Sequence, residues 1–165
     1  MSNTLSTNDI APQLIRYYEQ CRLEPYLDAK GVATIGWGNT VYIDNSRVAM
    51  DDQPLTQSEA DKLFDFWLNS FSTKVAAHVV GAKPNELAAF ISLAYNIGLA
   101  NFLHSSALRV YLAGSKTGAA NDIEMWNKAG NTVLKGLQRR RRAEKLVFLG
   151  ATVSLATAQA EKDFP

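Results

Sequence analysis

The sequence predicts an α+β protein with a small sheet near the N-terminus and helices through the rest of the chain. Three observations lead there. The 165 residues are 47% hydrophobic, enough to bury a core in one domain. The segment Tyr26 to Ile43 is rich in glycine and β-formers. After it, capping signals and apolar stripes at helical spacing follow one another to about residue 150.

The elements can be justified in order. A first helix carries Ile10, Leu14, Tyr18 and Cys21 on its packing face, and Glu19 falls at its end, on the border of that face. Asp28-Ala29-Lys30-Gly31 reads as a turn, so Tyr26 to Gly38 is predicted to be a hairpin. Alternation from Val32 to Gly38 sets Ala33, Ile35 and Trp37 on one face and Thr34, Gly36 and Gly38 on the other. That second face is almost bare backbone, which either marks bends or admits a bulky ligand close to the chain. Thr56-Gln57-Ser58-Glu59 is a capping box with Leu55 and Ala60 as its staple, opening a helix predicted to run to about His78. Pro84 starts the next helix, whose stripe of Leu87, Phe90, Ile91, Ala94 and Ile97 makes it the central core helix, closed by Gly98. Ser105 or Ser106 begins a short helix ending at Gly114, and Thr117 is predicted to cap another that carries Ile123 and Trp126. Leu137 to Leu149 is the last clear helix; Ala151 to Pro165 reads as a final helical turn or a frayed tail.

Composition narrows the function. There is no P-loop, dinucleotide fingerprint, paired cysteine or HExxH, and His78 and His104 lie far apart, so nucleotide, thiol and metal chemistry are poorly supported. No cofactor is expected. Cys21 alone forms no internal disulfide; it reads as a small buried hydrophobe or, beside Arg22, as a reactive thiol. The start lacks a signal-peptide pattern and no apolar run matches a membrane span, so the product is expected to stay in the cytosol of the cell that makes it. A net charge of +1 gives no argument for nucleic acid, but it conceals an asymmetry: residues 1–82 hold ten acidic and six basic side chains, residues 83–165 six and eleven. The basic half suits a polyanionic surface or is simply a solvated face.

The carboxylates carry the chemistry. Glu19 meets the negative end of its helix and partial burial, and both favour the protonated acid; Asp28, in a polar turn beside Lys30, is expected to stay ionised. Two carboxyl groups held in opposite protonation states are what glycosidic cleavage requires. On spacing alone, a Glu and an Asp nine apart are as readily plain surface residues.

Here the sequence resembles a known family. Tyr18-Glu19, Arg22-Leu23, Tyr26, Asp28, Gly31 and Thr34-Ile35-Gly36-Trp37-Gly38 are similar to the signature of the phage-type lysozymes, or endolysins. The resemblance continues at Ser92 to Gly98, at Phe102, Ser105 and Leu108, and at Gly136-Leu137 with Arg139-Arg140 and Glu144, covering about residues 10–150. It implies a single lysozyme-like domain over 1–165, with a sheet-bearing lobe at about 10–60, a helical lobe at about 61–150, a tail at 151–165 and a cleft between the lobes. It implies Glu19 as general acid, Asp28 as the second catalytic carboxylate and Thr34 as the residue holding the attacking water. Gly36, Gly38, Tyr95, Asn96 and Ser105 would contact the substrate, although Tyr95 and Asn96 also fit as the end of a core helix. The implied reaction is hydrolysis of the β-1,4 bond between N-acetylmuramic acid and N-acetylglucosamine in peptidoglycan, with inversion, which needs room for a water. The implied setting is a monomer made in the host bacterial cytoplasm and released to the wall by a membrane-permeabilising, holin-type protein.

Two positions depart from the family pattern. Asn39 stands where many relatives have a His able to pair with a carboxylate, and Gln20 stands where Gly commonly follows the catalytic Glu. The run Arg139 to Arg142 either binds anionic wall polymers or lies on a helix surface paired with Glu144. Two rival readings keep the same residues: a lytic transglycosylase forming anhydro ends on the same bond, and a wall-binding relative without catalysis.

Overall fold

The computed structural model describes residues 6–165. The chain divides into two compact units, Arg16–Thr73 and Lys74–Pro165, the second joined by the residues up to Ile15. The expected lobe boundary near residue 60 therefore falls inside a continuous helix. That helix keeps Leu63 in the core of the first unit, so the division moves to its far end.

The first unit takes up the end of helix α1 (Thr7–Glu19), then strands β1 (Arg22–Leu27) and β2 (Ala33–Gly36), then most of α2 (Gln57–Ala76). The strands pair antiparallel, with Tyr26 opposite Thr34 and Leu27 opposite Ala33. Register slips between Arg22 and Tyr26, where Pro25 has no N–H to give the ladder. The expected capping box is present: Thr56 donates its backbone N–H and its hydroxyl to Glu59 Oε2 (2.7 and 2.8 Å), and Glu59 N–H donates to Thr56 Oγ1 (3.2 Å). Ile35, Val48 and Leu63 form the unit's core, with Ala33, Tyr42, Leu55 and Trp67 packed against it.

The strand stops sooner than alternation suggests. Ile35 and Asn39 exchange both backbone hydrogen bonds (2.8 and 2.9 Å), closing a loop in which Gly36 and Gly38 take φ of 63° and 86°. Those glycines are spaced by the demands of a turn, because L side chains rarely adopt positive φ. Trp37 sits at the loop's apex, outside the strand.

In the second unit α3 (Pro84–Ile97) is the core helix, buried from Ala88 to Ala94, with Gly98 following at φ 90°. Phe90 packs its ring on Phe102, Tyr111 and Phe148 at centroid distances of 5.4, 5.1 and 5.2 Å. Helices α4 (Leu99–Leu103), α5 (Ser106–Leu112) and α6 (Lys116–Ile123) follow, then a hairpin of β3 (Lys128–Ala129) and β4 (Thr132–Val133), α7 (Lys135–Phe148) and α8 (Val153–Asp163). Helix α4 and the second hairpin are too short to show a period. The cap of α6 is Ser115, whose hydroxyl accepts from Gly118 N–H, and not Thr117. The C-terminal segment is a full helix rather than a turn or frayed end: Thr152 caps it, and Val153, Ala156, Thr157 and Ala160 form a buried stripe against α7.

The arginine run is also corrected. Arg140, Arg141 and Glu144 are buried, with Arg141 Nε 2.7 Å and Arg140 Nε 3.3 Å from the Glu144 carboxylate, which also accepts from Ser92 Oγ (2.7 Å). Arg142 pairs with Glu124 and Asp163, both at 3.1 Å, and Arg139 Nε donates to Phe164 O (2.7 Å). The local pairing to Glu144 holds, and Arg140 and Arg141 are buried rather than on an exposed helix face, while Arg139 and Arg142 are partly exposed and paired.

Candidate active site

Helix α1 ends on Glu19, and the next residue, Gln20, turns the chain out of the helix at φ 51°. This is the left-handed conformation that suits Gly after a helix, and it explains why a glycine is common at that position. Glu19 then comes to lie against the Ile35–Asn39 loop. A Cβ placed on Gly38 would sit 2.9 Å from Glu19 Oε2, closer than a carbon and an oxygen tolerate. Gly36 is buried, and a Cβ there would meet Ala60 at 3.6 Å and the Asn39 amide oxygen at 3.4 Å. On the face expected to lie open to a ligand, the Glu19 carboxylate lies beside Gly38 and α2 packs at Gly36, while Gly38 itself stays half-buried.

The turn residue Asp28 is held by its own hairpin. Its Oδ1 accepts the backbone N–H of Lys30 (2.8 Å) and of Val32 (2.9 Å), which fixes the carboxylate's rotation. Thr34 is 2% exposed and donates its hydroxyl to Val32 O (2.9 Å), leaving the oxygen's lone pairs as acceptors. Asp28 and Thr34 are therefore fixed through the same residue, Val32.

Tyr26 belongs to the same hairpin. It pairs across the strands with Thr34, and its phenol is pushed up by burial first, then by the charge of Glu19, with Asp28 adding and Arg22 opposing. The Arg22 guanidinium lies over the ring, 4.5 Å from its centroid. Sequence reasoning used Tyr26 as a hairpin boundary and as part of the family signature, without a role at the site. Its position two before Asp28 and opposite Thr34 in the register was the available signal.

Asp61 of α2 supports the loop. Its Oδ1 accepts from Trp37 Nε1 (2.8 Å) and Gln57 Nε2 (3.0 Å) and lies 3.8 Å from Arg16, and these donors, led by Trp37, hold its carboxyl below the usual range. Cys21 accepts from Gln57 at 3.6 Å, and burial pushes its thiol up, which favours the small-hydrophobe reading over a reactive thiol.

Glu19, Asp28, Thr34, Gly36 and Gly38 all belong to the unit Arg16–Thr73, whereas Tyr95, Asn96 and Ser105 belong to the other. Tyr95 is half-buried and Asn96 exposed in the last turn of α3. Ser105 is 3% exposed and its hydroxyl is engaged as the cap of α5, donating to Phe102 O (2.7 Å) and accepting from Leu108 N–H (3.2 Å).

Comparison with known proteins gives a consistent result. The family model described as phage lysozyme matches residues 16–144. A SAR-endolysin of bacteriophage PS119 is 30% identical, covering 79% of this chain and 76% of that protein. An endolysin structure from Escherichia coli O157:H7 phage FAHEc1 superposes with a TM-score of 0.75 at 29% identity, over 91% of this chain and 97% of that one. The muramidase domain of SpmX from Asticaccaulis excentricus superposes with a TM-score of 0.72 at 30% identity, over 84% and 94% of the two chains.

Proposed function

Because the chain belongs to the phage lysozyme family and is a peptidoglycan-lytic glycoside hydrolase of the muramidase type, we propose that it hydrolyses the β-1,4 bond between N-acetylmuramic acid and N-acetylglucosamine with inversion. The observation that supports the site assignment is that Asp28 and Thr34 are both fixed through Val32 of one hairpin, while the loop that follows this hairpin meets the Glu19 carboxylate at Gly38. In this reading Glu19 protonates the leaving oxygen. Thr34, its own proton donated to Val32 O, accepts a hydrogen bond from the attacking water and orients it; Asp28, fixed by two amides, takes up one proton of that water as its oxygen bonds to the anomeric carbon, and the other stays on the new hydroxyl. Tyr95 and Asn96 remain proposed glycan contacts of the helical unit; Ser105 acts on the glycan only through the backbone it caps.

The enzyme is proposed to act as a monomer, made in the host bacterial cytoplasm and reaching the wall with the help of a holin-type membrane-permeabilising protein. Among the described residues no helix is long and apolar enough to cross a membrane. Two assays test the reaction. Proton NMR of soluble glycan fragments should show the α anomer appearing first, and Glu19→Gln should end turbidity loss of wall suspensions while circular dichroism stays unchanged. A β anomer formed first would overturn inversion, and undiminished lysis by the Gln variant would overturn the role of Glu19.

A further inference from the structure

One oxygen, Asp61 Oδ1, gathers donors from three separate parts of the small unit. Arg16 comes from α1, Trp37 from the loop after β2, and Gln57 from the first turn of α2. Each donor is a short step from Glu19. Arg16 lies three residues before it on the same helix, one turn away, and its guanidinium is held over the rings of Phe64 (4.6 Å) and Trp37 (5.3 Å). Gln57 also touches Cys21, two residues after Glu19. Trp37 directly precedes Gly38, the residue against which the Glu19 carboxylate rests.

Glu19 is thus approached from its helix, from the chain that leaves it and from the loop it rests on, and all three approaches meet at one carboxylate. Gln20 leaves the helix in a left-handed conformation that is unfavourable to an L side chain, so the chain turns sharply just after Glu19. The packing on Phe64 holds Arg16 against the core, and Asp61, 3.8 Å from Arg16, accepts the hydrogen bond from Trp37 at the loop's apex. Resting on the muramidase reading above, we propose that Asp61 is a positioning residue for Glu19, fixing the end of α1 against the Trp37–Gly38 loop so that the acid is aimed at the glycosidic oxygen.

The test uses the full chain, with soluble peptidoglycan fragments as substrate. Asp61→Ala removes the acceptor, whereas Asp61→Asn keeps an oxygen for Trp37 and Gln57 while Asp65, 3.3 Å from Arg16, continues to hold the guanidinium. A displaced acid lowers turnover without weakening binding, so Asp61→Ala should lower kcat about tenfold to a hundredfold with KM within about twofold. Asp61→Asn should recover most of the loss, and Trp37→Phe, which removes only the indole N–H, should fall between. A second readout does not depend on turnover: the carboxyl carbon signal of Glu19 and the amide signal of Gly38 should move in Asp61→Ala and not in Asp61→Asn, while those of Asp28 and Thr34 stay. If the wild type cleaves nothing, the muramidase reading fails and the NMR signals still decide the positioning role. Unmoved Glu19 and Gly38 signals, or a kcat for Asp61→Ala within about twofold of the wild type, would overturn the proposal.

Discussion

Gln20→Gly should stabilise the protein without altering its chemistry. Gln20 holds φ at 51°, and an L side chain in the left-handed region costs about 1–2 kcal/mol because Cβ crowds its own carbonyl. Glycine removes that cost but brings a more disordered unfolded chain, worth about 0.4–1 kcal/mol in the opposite direction. The net gain is about 1 kcal/mol, which for a chain of 165 residues corresponds to about 2–4 °C in melting temperature. Differential scanning calorimetry measures it, with Gln20→Ala as control, since alanine keeps the Cβ and removes only the exposed remainder of the side chain. The alanine variant should melt within about 1 °C of the wild type. Because glycine adopts the same backbone angle without strain, Glu19 keeps its place and the lytic rate should be unchanged. A glycine variant that melts at or below the wild-type temperature would refute the reasoning, for it would mean that the side chain of Gln20, and not the geometry of the helix end, sets the balance.

Three further outcomes follow from the same coordinates. Gly38→Ala should lose both stability and lytic rate, since the new methyl meets Glu19 Oε2 at 2.9 Å and φ is 86°, whereas Gly31→Ala, with φ 77° and nothing within 4 Å, should lose stability by about 1–2 kcal/mol and keep its rate; equal rates in the two would count against the packing of Glu19 on Gly38. Arg141→Met should cost several kcal/mol in urea unfolding, on the order of 3 kcal/mol, because it removes the closest cation of the fully buried Glu144 and leaves it Arg140 and Ser92, while Arg142→Met, at a partly exposed pair, should cost far less; similar losses would contradict the buried framework role. Glu86 concerns pH: burial pushes its carboxyl up, but Lys116 at 2.5 Å, the Lys83 amide and the Tyr111 hydroxyl outweigh this and hold it below the usual range. A carboxyl lowered on folding stabilises above its unfolded value and loses that contribution as pH falls through the folded one, so melting temperature should drop as pH falls from about 5 toward 3, and Glu86→Gln should flatten this slope; parallel slopes would refute it.

How much of this was legible in the sequence depends on the range of the interaction. The capping box at Thr56, the helix bounds at Pro84 and Gly98 and the turn at Asp28 are local hydrogen-bond patterns, and each stands where the sequence predicts. Glu19, Asp28 and Thr34, proposed from spacing and resemblance, fall in one compact unit. What escaped was set by partners distant in sequence. The two glycines look like an open face until Glu19 and Ala60 are seen against them. The four arginines look solvated until Glu144, Glu124, Asp163 and the chain's last carbonyls close on them. Helix α8 was missed for a different reason: its buried stripe is of alanine, threonine and valine, too weakly apolar to show a period. Asp61 carries no motif at all, and the folding of α2 against the loop gives it two hydrogen-bond donors and a nearby guanidinium.

The central claim, that Glu19 delivers a proton to the leaving oxygen while water attacks, is tested most directly by digesting purified peptidoglycan in oxygen-18 water with the wild type and with Glu19→Gln, and analysing the fragments by mass spectrometry. The account predicts that wild-type fragments end in N-acetylmuramic acid carrying one labelled oxygen at the new reducing end, and that the folded Gln variant releases none. Unlabelled anhydro ends from the wild type, or labelled fragments released at the wild-type rate by the variant, would contradict it.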